Sequence, residues 1–135
     1  MTAASNYLEN KVLDHVLTAT SYTAPGARYL ALFNNTSGNA AANLEAGTLT
    51  DEVSGGSYAR KAVTFAAASG GTSATNATVT FDAATASWGS ITHVAVMDAA
   101  TGGNVLFWGA VTTAKTIDTG DTFQVTSGNL TISLA

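Results

Sequence analysis

The stretch from Ile91 to Thr112, ITHVAVMDAATGGNVLFWGAVT, constrains this chain more than any other. It reads as two strands, Ile91–Asp98 and Asn104–Thr112, joined by a short turn of small residues and Gly, a recognised way to close a hairpin. Ile91, Ala95 and Met97 alternate with Val94 and Val96 in the first strand. Val105, Phe107 and Val111 alternate with Leu106, Trp108 and Ala110 in the second. Strands that are apolar on both faces need cover on both sides, which puts this hairpin at the centre of the fold. Phe107 and Trp108 are then expected to project to opposite faces of this strand and to support the core.

The remaining strand candidates are one-faced. Arg28–Phe33 follows a Pro25-Gly26 break, and Arg60–Ala66 carries Val63 and Phe65 on one face. Thr78–Phe81 points Val79 and Phe81 inward, and Leu130, Ile132 and Leu134 alternate with polar residues to the end. Trp88 is expected as a plug at the sheet margin. Short strands at roughly ten-residue spacing predict a mainly β chain: a single antiparallel β-sandwich or jelly-roll-like domain of about seven or eight strands over 1–135. An N-terminal segment, 1–18, carries an amphipathic helix. Within it Met1–Asn6 is expected to fray, and Asn6 with Glu9 suggests a capping box. From about Tyr7 to Thr18, Leu8, Val12 and Val16, with Leu13 and Leu17 beside them, form one stripe. That stripe is either a lid over an open end of the β-core or an arm that docks on a partner. Asn34–Thr50 reads as a long loop, a kind of segment that usually binds something or is disordered.

Composition narrows the function. Charged residues are 10% of the 135, the net charge is −4, and there are no cysteines. Disulfides and thiolate metal sites are therefore excluded. Five Lys and Arg scattered along the chain make no nucleic-acid footprint. No apolar run approaches the roughly 20 residues of a membrane span, and no Sec signal is expected at the N-terminus. A weakly charged exterior gives little repulsion between copies, which suits a subunit of a dense array.

No catalytic signature stands out. His93 is read as a core or interface histidine, and His15 beside Asp14 as a solvated helix pair. Ser54–Ser57 lacks the G-x-S-x-G elbow of acyl-transfer enzymes. Asp118 and Asp121 fit an Asx-stabilised turn better than a calcium loop. No cofactor is expected.

Three stretches belong together: SNYLENKVLDHVL (Ser5–Leu17) leading to YLALF (Tyr29–Phe33), EVSGGSYARKAVTF (Glu52–Phe65), and TASWGSITHVAVMDAATGGNVLFWGAVTT (Thr85–Thr113). They resemble a family of small virion structural proteins of tailed bacteriophages, cyanophages among them, labelled tail fibre, head decoration or structural protein. EVSGGSYAR with the SWG and TGGN turns is the specific combination; Asn34–Thr50 matches least. The resemblance implies a non-enzymatic virion part with no catalytic or metal residues.

The leading expectation is a capsid cement protein on the head surface. It would bind the major capsid protein, self-associate as a homotrimer, and stabilise the assembled shell by mass action. The alternatives are a tail or tail-fibre component and a glycan-binding β-sandwich. Leu8, Val12 and Val16 on the helix, with Arg60 and Lys61 at a strand start, are the candidate partner contacts. For Arg60 and Lys61 a charged edge that discourages strand addition is the preferred reading over a partner contact.

Overall fold

The computed structural model describes residues 3–134. In chain order its elements are β1 (Ala3–Ala4), α1 (Asn6–Leu17), β2 (Tyr29–Phe33), α2 (Ala40–Ala46), β3 (Lys61–Ala62), β4 (Thr72–Ala74), β5 (Val79–Thr80), β6 (Gly89–Met97), β7 (Val105–Ile117), β8 (Gln124–Val125) and β9 (Thr131–Ser133). One five-stranded antiparallel sheet, ordered β1-β7-β6-β2-β3, is joined by two ribbons, β4–β9 and β5–β8. The mainly β, antiparallel architecture with an N-terminal helix is as expected, and no barrel closes. The second layer differs from a full sheet, because its strands are only two or three residues long.

β6 sits in the middle of the sheet, and Val94, Ala95, Val96 and Met97 are all buried. Its two faces support two cores. On one side Leu30, Leu32, Val94 and Val96 meet Val79, Phe81, Trp88, Phe123 and Ile132 from the ribbons and loops. On the other, Ala31, Phe33, Ala95, Met97 and Val105 meet Leu44 of α2. Asn34–Thr50 is thus not an idle loop. Its alanines allow a short helix, ended by Gly47 in the left-handed conformation, that covers the back of the sheet.

The hairpin is interrupted twice. Val96 pairs with Phe107 and Met97 with Val105, leaving Leu106 as a bulge. Leu106 and Phe107 therefore both face the first core, while Trp108 packs against the second. Phe107 and Trp108 do lie on opposite faces, but each is only half-buried. The second irregularity is larger. His93 pairs with Ala110 and Ile91 with Lys115, so Val111, Thr112, Thr113 and Ala114 stand opposite Thr92 alone. β7 bulges away from β6 over these four residues, and the two strands pair again from Lys115 to Ile117.

The N-terminus is tied down from Ala3 onward. Ala3 and Ala4 pair with Trp108 and Phe107. Ser5, fully buried, replaces Asn6 as the helix cap. Its hydroxyl donates to the Val105 carbonyl and accepts the Leu8 N–H at 3.3 Å. Met1 and Thr2, where fraying was also expected, lie outside the described residues.

Candidate functional site

The expected contact residues separate into three situations. Arg60 is an interior residue, its side chain 2% exposed. Its Nε and Nη2 each donate to the Glu52 carboxylate at 2.7 Å, and its Nη1 donates to the carbonyls of Ala99 and Gly102 at 2.8 and 2.7 Å. Tyr58 donates its hydroxyl proton to Glu52 at 3.0 Å and accepts the Leu32 N–H at 3.0 Å. A bidentate pair of this kind is strong and directional. Hydrogen bonding to Glu52 raises the Arg60 pKa against the opposing effect of burial. Burial, with the Glu52 charge beside it, pushes the Tyr58 phenol up as well. Arg60 is therefore corrected from a partner contact to a clamp on the β6–β7 turn. Lys61 stays at the surface, paired with Asp82 at 3.0 Å. A solvated pair of this sort contributes little.

The same clamp explains why the EVSGGSYAR, SWG and TGGN stretches go together. Trp88 donates its indole N–H to the Gly56 carbonyl at 2.9 Å. Gly56 has φ +59°, and a Cβ there would lie 2.9 Å from both the Ala86 carbonyl oxygen and Trp88 Nε1. Gly103 has φ +72°, and a Cβ there would reach within 2.7 Å of the Ala99 Cβ. Glu52, Tyr58 and Arg60 hold the turn that contains Gly103, and Gly56 lies against Trp88. Phe81 and Trp88 pack on Tyr58 at ring separations of 6.1 and 5.5 Å. The motif residues are one packed unit, structural in role.

The helix is the opposite case. Leu8 is 7% exposed and belongs to the first core, so it anchors α1 and is not free to meet a partner. From Glu9 to Leu17 every residue is exposed. Val12 and Val16 are 39% and 69% exposed, and Leu13 and Leu17, which extend the stripe, 54% and 73%. Tyr7 packs edge-on against Tyr22, and His15 Nδ1 accepts the Tyr22 N–H at 3.2 Å. His15 thus ties the returning chain to the helix and is not simply a solvated partner of Asp14. The stripe is no lid: α1 is pinned at its first turn and presents its apolar face outward.

A second surface emerges only from the fold. Where β7 arches away from β6, a groove of about 670 Å³ opens between the strand and residues 122–131. Val94, Val111, Ile117, Phe123, Val125 and Leu130 form the apolar part of its lining, Thr112, Thr113, Thr122, Gln124, Asn129 and Thr131 the polar part, and no carboxylate lines it. Lys115 also lines it and makes no ion pair among the described residues. Nothing in the local sequence marks this site, because its walls come from β6, β7 and the segment around β8 and β9.

Two further polar groups are structural. Asp51 is buried and accepts from the Ser37 N–H and hydroxyl, both at 2.7 Å, and from Asn43 at 3.2 Å. The Ser37 hydrogen bond foremost holds its carboxyl below the usual aspartate value of 3.8. His93 bonds Thr92 at 2.9 Å and lies near Trp108, and burial lowers its pKa. Among the described residues no group of acids and histidines is placed to hold a metal ion. No helix there is long and apolar enough to cross a membrane.

No curated protein matches this chain. A family model described as Podophage GP4 fiber I protein gp80 matches residues 3–133, and on that match the chain belongs to this family of phage fibre-type structural proteins.

Proposed function

We propose that this protein is a non-enzymatic, fibre-type component of a phage virion, carried on the tail, and that it is joined to the particle assembly through α1. The observation that carries this reading is the outward apolar stripe of Val12, Leu13, Val16 and Leu17 on a helix whose first turn is anchored in the core. An exposed apolar patch with a rigid base is a standard mark of an interaction surface. The fibre description of the family supports this tail assignment over the head-cement expectation. Glycan binding finds little support. The aromatic ring lining the groove, Phe123, is 8% exposed and offers no open face for a sugar to stack on.

The test is a phage carrying Leu13→Asp and Leu17→Asp, compared with the parent by immunogold electron microscopy and by copies per virion. Label on the tail that disappears with the variant is the expected result. Label spread over the head, at a copy number matching the head subunit, would instead establish the cement role.

A further inference from the structure

The chain carries an apolar ridge without a groove and a partly apolar groove without a ridge. No residue of α1 lines the groove, and α1 meets the body at the opposite end of β7, where Ser5 bonds Val105. The chemistry of the two surfaces is complementary. The ridge repeats at Val12, Leu13, Val16 and Leu17, the spacing by which an amphipathic helix seats in a hydrophobic groove. Glu9 stands three and four residues before Val12 and Leu13, at the head of the same stripe, and has no ion pair among the described residues. The groove is part apolar and part lined by Thr, Gln and Asn side chains, no acid lines it, and Lys115, its one charged group, has no ion pair among the described residues.

We infer that the partner of α1 is a second copy of this chain: the stripe of one copy seats in the groove beside β7 of the next, with Glu9 meeting Lys115. This rests on the reading of α1 as the assembly arm and names what the arm holds. The contact is heterologous, since the helix of one copy uses a different surface of its neighbour. An open assembly therefore keeps a free helix at one end and a free groove at the other until a ring closes, and otherwise it grows into a filament. The trimer expected from sequence is one such ring.

Heterologous assembly has a signature that helix-to-helix pairing lacks. A helix-defective variant, Leu13→Asp with Leu17→Asp, retains its groove. A groove-defective variant, Thr113→Trp with Lys115→Glu, retains its helix. All four positions are exposed, so thermal melts should show both variants folded. In sedimentation of the full chain, the parent should form dimers or larger species. Each variant alone should be monomeric, with association weakened at least about tenfold for each apolar side chain removed from the contact. Mixed in equal amounts, the two should form a one-to-one heterodimer and grow no further, because only one intact contact remains between them. Glu9→Lys should weaken the parent, and mixing it with Lys115→Glu should recover binding. A parent that stays monomeric, a groove variant that associates like the parent, or a mixture that stays monomeric overturns the inference. If that happens while the helix variant still fails to enter virions, α1 docks on another protein and the assembly-arm reading survives.

Discussion

The clamp around Arg60 and the stripe of α1 invert the usual placement of side chains. In the clamp a guanidinium, a carboxylate and a phenol are drawn inward, and each polar atom finds a partner. On α1 four aliphatic side chains stay exposed, from 39% at Val12 to 73% at Leu17. Burying a charge is tolerable only when it is paired and hydrogen-bonded, so the clamp needs every member. Exposing an aliphatic side chain carries little cost in one isolated fold but favours whatever next covers it. The difference separates what holds this protein together from what it presents to others.

The comparison is most directly broken at Arg60. Arg60→Ala leaves Glu52 half-buried without its cation and frees the Ala99 and Gly102 carbonyls. We expect a loss of about 3–5 kcal/mol in urea unfolding. Arg60→Lys should recover only part of it, because an ammonium cannot grip both carboxylate oxygens and both carbonyls in one plane. A loss no larger than that of an α1 variant would mean the clamp is not interior in solution.

Asp51 gives an intermediate effect with a pH signature. Its pKa is lowered by folding, so its contribution is fully present above the ordinary value near 3.8. As pH falls below that value the unfolded carboxyl takes up its proton first, and the contribution disappears through the folded pKa. Asp51→Asn should therefore cost about 1–3 kcal/mol at pH 7, from donors left poorly matched. The gap between variant and parent should narrow steadily below pH 3.8. A gap that stays constant down to acid unfolding would show that the carboxylate charge is not what organises Ser37 and Asn43.

The smallest effect is expected on α1 itself. Leu17→Ser should change the unfolding free energy by less than about 0.5 kcal/mol, since the residue is 73% exposed. Ser5→Ala, at the same helix but buried and capping, should cost about 1 kcal/mol. Denaturant unfolding of the two variants side by side locates where anchoring ends and presentation begins. Comparable losses at both positions would place the stripe against the body.

Much of the β-core was legible in the residues. The two-faced pattern of Ile91–Thr112 placed β6 at the centre, and Val79, Phe81 and Trp88 are buried as their alternation and bulk imply. These readings succeed because side-chain period and apolar character are local properties, and the solvent imposes the same rule everywhere. The existence of α1 was legible for the same reason. Its cap moved by one residue because Ser5 is selected by a carbonyl 100 positions away, at Val105.

What the sequence could not decide by itself was which charges and which apolar faces would be covered. Arg60 and Lys61 are adjacent and chemically alike, yet one is sealed inside and the other solvated. The acceptors that make Arg60 tolerable inside lie 39 and 42 residues further along the chain, and only the closed hairpin brings them there. The groove beside β7 likewise exists because that strand carries extra residues where its neighbour has one. Composition alone settled that no cysteine chemistry occurs, and patterning settled that an antiparallel β-core forms with a helix before it. Tertiary structure made Leu8 an anchor and left Val12 and Val16 uncovered, because burial depends on which distant backbone and side-chain atoms the fold brings within reach.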